Sequence, residues 1–448
     1  MRLLRILLGA FVIAALTATG ACWFAGHQFE QAVTRNLAKH QHPDLQIQLI
    51  SYERGLFRAE AETLWHYQVQ GQSLEWRVSH HIQHGPLPAG KLARVDSQLH
   101  AQDLPVDLRE LFADTSPLTA HSVVFLSGTH QHQLHSPQVS AQRADESLFW
   151  GGMQAQLDFG ADQRHMQAEF RLPQLRINDI ADGELLLEGV NLQVDATYHP
   201  GLGFWSGPSD LSMEQLRVRE AGEELTLHGL RLHSDIRLEE RLIHLYHHWQ
   251  LESLHLADET LQGLALEFEL GRLEAKALAQ LLQLGSVQRA NNDLGGVLDK
   301  LQSLLSQQPY LAVHRLQAQH PQGLLSLDGR VAYQGKGQLL AMNPTRELHA
   351  EARLEAPAEL LKTLYATRQR ESMLELAKLL DWDADSEEFE ILVEQTIRVQ
   401  LNQLVQQGYF IEEAGRWSSE ARFEQGRLRI NGRAADALLG EMLALLLR

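Results

Sequence analysis

The sequence predicts an α+β protein: an N-terminal transmembrane helix, then a long, curved antiparallel β-sheet meander with amphipathic helices inserted late. Three observations carry this. An uncharged run at 6–26 follows two arginines, apolar residues recur with period two over most of the chain, and leucine-striped helical segments interrupt the strands near 275–308 and 357–407.

The N-terminus reads MRLLRILLGAFVIAALTATGACWFAGHQFE, with Arg2 and Arg5 ahead of the run from Ile6 to Gly26. At about 1.5 Å per residue that run spans about 30 Å, the thickness of a hydrocarbon core. The basic flank belongs on the cytoplasmic side. Residues 1–5 are therefore expected as a cytoplasmic tip, 6–26 as a single membrane anchor, and 27–448 as an exported, mainly-β domain. Two rival readings stay open, a cleaved signal and a lipoprotein signal acylating Cys22 after Thr19-Gly20-Ala21. Thr19 stands where a lipoprotein signal carries Leu, and the apolar run continues through Trp23, Phe24 and Ala25. Cys22 is the only cysteine, so the fold has no internal disulfide.

From Leu45 to Ile82 the alternation marks strands with one buried face: Leu45, Ile47, Leu49, then Phe57, Ala59, Ala61, Thr63, Trp65, then Leu74, Trp76, Val78. Gly55 is expected in the first turn at positive φ, and Arg58, Glu60 and Glu62 are expected to face Glu75 and Arg77 of the next strand. The same alternation returns at Gln154–Leu172, Leu185–Tyr198, Leu211–Leu273, Leu311–Tyr333 and Arg422–Arg433. Between these, Leu298, Leu301, Leu304 and Leu305 form one helical stripe. Pro357 opens a second helix, and a third begins near Asp385 with Glu388 placed as in a capping box. So long a sheet needs cover, and where helices do not supply it a curved groove of Leu, Val and Phe is expected.

The chain has 448 residues and a formal charge of −18, with 39 Lys and Arg dispersed along it, which argues against a nucleic-acid partner. Histidine is frequent, with clusters at His80-His81-Ile82-Gln83-His84, at His130-Gln131-His132, and at His244, His247 and His248. On a strand His130 and His132 share a face, a geometry compatible with two metal ligands, but no cysteine or carboxylate at metal spacing accompanies them. DWDADSEEFE, Asp381 to Glu390, resembles an acidic calcium loop yet lacks its sixth-position glycine and reads as a helix start. GFWSGP at Gly203 to Pro208 has the wrong spacing for a nucleophile elbow, and no phosphate loop or zinc-protease motif occurs. No catalytic, cofactor-binding or metal residue is assigned.

ACWFAG, YERGLFRAEA, HGPLP at His84 to Pro88, EELTLHGLRL, the LESLHLADETLQGLALEFELGRLEAKAL block, EAPAELL and FEQGRLRINGR together resemble the YdgA-like family of bacterial membrane-anchored proteins of unknown function. The most specific positions are Tyr52, Arg54-Gly55, Phe57 and His84-Gly85-Pro86. The resemblance implies a periplasmic body on an inner-membrane anchor and supplies no site residues. The resulting expectation is a non-catalytic envelope protein whose apolar groove takes lipid acyl chains. The alternatives are a protein–protein interaction module, or a hydrolase assembled from distant strands.

Overall fold

The period-two segments fold as antiparallel strands, each burying alternate side chains. The computed structural model describes residues 45–436 apart from 70–71, 88–89, 105, 113–114, 143–145, 180–182, 221–222, 257–258, 287–293, 337–343 and 380–385. The chain divides into two units, Met1–His199 with Ser209–Glu224, and Pro200–Pro208 with Leu225–Arg448.

In the first unit β1 (Leu45–Arg54), β2 (Arg58–Val69), β3 (Gln72–Leu87), β4 (Lys91–Leu99), β5 (Thr119–Phe125) and β6 (His130–Ser136) pair successively, each antiparallel to the next. The helix α1 (Val106–Leu111) lies between β4 and β5 in the chain. Then the sheet forks. β9 (Met153–Phe159) returns to β6, while β7 (Val139–Gln142) pairs with β8 (Glu146–Trp150). β10 (His165–Asp179) lies against β9 with its first half and β8 with its second, and β11 (Gly183–His199) runs beside it. The fork turns at Gly151–Gly152. Gly152 has φ 84°, and a Cβ there would stand 2.9 Å from the Ser136 carbonyl oxygen, so only glycine fits. The buried face of β2 and β3 is built from Ala59, Ala61 and Ile82, packed by Leu49, Tyr52 and Val95.

The chain passes between the units within β12 (Phe204–Glu220) and β13 (Glu223–Glu239). In the second unit β13, β14 (Leu242–Leu256) and β15 (Glu259–Glu274) form a meander, followed by α2 (Ala275–Ser286) and α3 (Leu294–Ser306). It resumes through β16 (Tyr310–His320), β17 (Gly323–Tyr333), the single turn α4 (Pro344–Glu347) and β18 (Leu348–Pro357). After α5 (Ala358–Leu379) and α6 (Glu387–Gln406), β20 (Arg416–Glu424) pairs with β18, and β19 (Ile411–Glu413), β21 (Arg427–Ile430) and β22 (Arg433–Ala434) complete the edge.

The two faces of this second sheet differ in chemistry. Register places Ile243, Leu245, Leu270, Leu311, Val331, Ala356 and Trp417 on one face. Both helical pairs pack on it: Leu278 and Leu304 against Ile243, Leu273 and Ala275, and Leu401, Leu361 and Ile397 around Ala358 and Trp417. The opposite face carries Tyr246, Glu269, Arg330, Glu351 and Arg422 in one row across the strands. Glu274, the last residue of β15, starts α2 by accepting the Ala277 N–H at 2.6 Å.

Three expectations are corrected. The class is mainly antiparallel sheet, not α+β, and among the described residues no helix is long and apolar enough to cross a membrane. The two longest helices show why, since Glu359, Lys362 and Arg370 interrupt α5 and Glu388, Glu390, Glu394 and Arg398 interrupt α6. The anchor expected at 6–26 lies outside the described residues. Gly55 does not adopt a left-handed φ; its N–H donates to the Arg58 carbonyl at 2.8 Å, and an added Cβ would stand 3.0 Å from that same oxygen. The carboxylates of β2 and β3 also pair otherwise than expected. Register sets Glu60 opposite His81 and Glu75 opposite His66, giving contacts of 3.7 Å and 2.9 Å.

Candidate functional site

A buried carboxylate in the middle of a sheet has to be satisfied by side chains, because its neighbours' backbone groups are already committed to the ladder. Glu269, on the polar face of β15, is such a group, only 9% exposed. Tyr310 of β16 donates its hydroxyl to Oε1, which also accepts from His244 Nδ1 of β14 at 3.2 Å. His314 Nε2 approaches Oε2 at 3.4 Å, and Tyr246, directly opposite Glu269 in register, adds another hydrogen bond.

Two β-bulges border this convergence. Opposite His244 the strand β15 carries two residues, Gly271 and Arg272, and Arg272 takes φ 62°. On the other side the β15–β16 register slips beside Glu267–Phe268, so His314 and Arg315 both turn to the polar face, His314 to Glu269 and Arg315 to Glu267 at 3.6 Å. Gly271 leaves room for a ring. A Cβ on it would stand 2.4 Å from Cζ of Tyr310. The cations nearby lie over the rings, with Arg330 4.1 Å from the Tyr310 centroid and Arg237 4.5 Å from that of Tyr246.

The electrostatics follow from this geometry. Burial opposes the charge on Glu269, but the hydrogen bonds from Tyr310, His244, His314 and Tyr246 outweigh it and hold the carboxyl below its ordinary pKa. Tyr310 is pushed up to about 12, by burial first and then by its bond to the Glu269 anion. Tyr246 moves up for the same two reasons. With four donors on its two oxygens, Glu269 has its acceptor capacity filled by the protein itself. That arrangement orders three strands. It does not present a free base to a substrate.

Beside the cluster, a furrow of about 510 Å³ is lined by His314, Asp328, Arg330, Glu351, Arg353 and Glu420. A second, of about 270 Å³, continues over Arg330, His349, Glu351, Arg422 and Glu424. Both furrows lie on the charged face. The expected run of Leu, Val and Phe lies on the other.

The histidines singled out in the sequence separate. His80 bridges two strands, its Nε2 2.9 Å from Thr63 Oγ1 and its Nδ1 2.8 Å from Ser97 Oγ, while Trp65 Nε1 donates to the same Thr63 hydroxyl. His81 points the other way to Glu60, and His84 is buried. His130 and His132 do share a face, with ring centroids 6.2 Å apart; His132 Nδ1 lies 2.9 Å from Ser122 Oγ. Burial lowers the pKa of His80, His130 and His132. His244 joins the Glu269 cluster, His248 faces Glu267, and His247 sits on the apolar face stacked on Phe268. Among the described residues no three His, Cys, Asp or Glu are placed to hold a metal. Of the acidic segment, 381–385 lie outside the described residues; Ser386 caps α6, accepting the Phe389 N–H at 3.3 Å. Glu269, Tyr246, Tyr310 and His314 were not singled out. The available signal was Gly271 inside a strand pattern, a mark of a bulge or a close approach.

The chain matches over residues 2–436 the family described as bacterial protein of unknown function (DUF945), and it belongs to that family. The family-level expectation holds in this form, a bacterial family of unknown function covering nearly the whole chain. No curated protein matches the chain. No solved structure does either.

Proposed function

We propose that the protein is a non-catalytic scaffold of the bacterial envelope whose second unit takes a lipid acyl chain on the apolar face of its sheet. One observation carries the reading. Trp249, Leu266, Leu316, Leu327 and Leu354 form an unbroken row across β14–β18, flanked by Leu270, Leu311 and Val331. On this face Trp249, Leu311 and Val331 remain 41%, 41% and 44% exposed. Four strand spacings of about 4.8 Å make the row about 19 Å long. One acyl chain covers about 15 Å, half a hydrocarbon core, so the row is long enough for it. Each buried methylene contributes about 0.8 kcal/mol, so even partial seating gives useful affinity. The non-catalytic reading is supported by Glu269, whose oxygens are already occupied by protein donors. The export reading is supported by Arg2 and Arg5 ahead of the uncharged run, and a periplasm-only reporter fused after Arg448 should be active.

The test is native mass spectrometry with lipid extraction on the full-length chain purified in detergent. Wild type should retain phospholipid, and Leu266→Glu and Leu311→Glu should lose it with unchanged circular dichroism. Lipid-free wild type, or variants that keep their lipid, would overturn the acyl-chain reading and leave this face as a protein–protein surface.

A further inference from the structure

The segments that carry the family resemblance, Arg54-Gly55, Phe57 and His84-Gly85, meet at one end of the first unit. His84 N–H donates to the Phe57 carbonyl at 3.0 Å, closing the β1–β2 turn against the end of β3. Leu126 N–H donates to the Gly90 carbonyl at 2.8 Å, which sets the β5–β6 turn beside the β3–β4 turn. Gly128, at φ 85°, lies against Ala161 of the β9–β10 turn. Four turns thus share one end of the sheet.

That end exposes its apolar side chains. Leu56 is 43% exposed, Phe57 53% and Leu126 63%, although each sits on a short turn where polar residues cost nothing. On the outermost rows of this end stand Arg54, Arg58, Lys91, Arg94 and Arg164, against the carboxylates Asp158 and Asp162, with Glu53, Glu60 and Asp96 one row further in. Five cations against two anions make these outermost rows locally positive in a chain whose formal charge is −18. Separate apolar knobs on convex turns, ringed by cations, match the layered chemistry of a lipid surface, with acyl chains beneath anionic headgroups. A folded protein partner is a poorer match. The knobs offer on the order of 300 Å² of apolar surface, well under the roughly 800 Å² per partner of a stable protein interface.

We propose that this end of the first unit contacts a lipid surface, with Leu56, Phe57 and Leu126 entering the headgroup layer and Arg54, Arg58 and Lys91 facing its phosphates. The inference is independent of the acyl-chain face, which belongs to the other unit.

The experiment labels the full-length chain, in a Cys22→Ser background, with an environment-sensitive fluorophore at Phe57→Cys, at Leu126→Cys, or at Ser73→Cys. Ser73 is exposed and lies at the other end of β3. With vesicles of phosphatidylglycerol and phosphatidylethanolamine, emission at positions 57 and 126 should shift to the blue and be quenched by brominated lipid. Emission at position 73 should not change, and Arg58→Glu with Lys91→Glu should diminish both responses. Silent labels at 57 and 126, or three labels that respond alike, would overturn the proposal. Equal responses on phosphatidylcholine vesicles would overturn its electrostatic half. Protection of positions 57 and 126 by an envelope extract, with no response to vesicles, would assign the tip to a protein partner and overturn it as well.

Discussion

The His80 network of the first unit and the Glu269 network of the second solve the same problem in different ways. Both place polar side chains within a sheet face. In the first, strict register is enough, because His80 stands opposite Ala61 on one side and Ser97 on the other, and two hydroxyls reach the two ring nitrogens. Ala61 opposite it leaves the ring half-buried, and burial lowers its pKa. In the second, register sets Tyr246 opposite Glu269 and places His244 and Tyr310 one pair along on the same face, while the bulge beside Glu267–Phe268 brings Arg315 to that face together with His314. The difference teaches that a regular ladder can satisfy a neutral ring with two partners. A buried anion needs more donors, and Glu269 gathers them from both neighbouring strands.

Removing the anion should break the comparison most. Glu269→Leu leaves the part-buried Tyr310 hydroxyl and the His244 imidazole without their acceptor, and about 3 kcal/mol of stability should be lost in urea denaturation. A loss no larger than that of Ser97→Ala, about 1 kcal/mol, would show that the anion is not the centre of the second network.

Gly271→Ala ranks next. The added methyl collides with the Tyr310 ring, and relieving an overpacked contact of this kind costs about 1–3 kcal/mol. Truncating the ring as well, in Gly271→Ala with Tyr310→Ala, should show favourable coupling in a double-mutant cycle. Simple additivity would mean that the glycine does not make room for the ring.

The smallest effect is in pH, and it separates the networks by window. Burial lowers the His80 pKa, so below about 6.5 the unfolded chain binds the proton that the folded chain refuses, and stability falls as pH falls. Glu269 is lowered from about 4.5, so its contribution is present above that value and is lost as pH falls through the lower folded pKa. Urea midpoints from pH 7.5 to 5 should drop less in His80→Gln than in wild type, with Glu269→Gln parallel to wild type over that range. At alkaline pH, ultraviolet titration should show one late tyrosine near 12, which Glu269→Gln moves down.

Strand periodicity was legible wherever a single face is buried, as at Ala59, Ala61 and Thr63, because period two survives every register-preserving pairing. The helical insertions were legible for the same kind of reason. Leu304, Ile397 and Leu401 keep the spacing that one buried helix face requires. The capping oxygen of α6 was missed by one residue, since Ser386 and Asp385 are both good caps and only the entry angle of the chain chooses between them.

By itself the sequence determined which residues alternate, where helices interrupt the strands and which segments carry the family resemblance, because these depend on local spacing. Only the tertiary structure decided that β10 forks between β8 and β9, that Gly55 needs space instead of a left-handed φ, and that Glu269 collects donors from both neighbouring strands. Each of those depends on which strand or turn lies alongside, and the bulges bordering Glu269 add a slip of one residue in the pairing. Periodicity cannot encode such a slip, because a bulge reverses the facing of every later residue while leaving the pattern on either side intact.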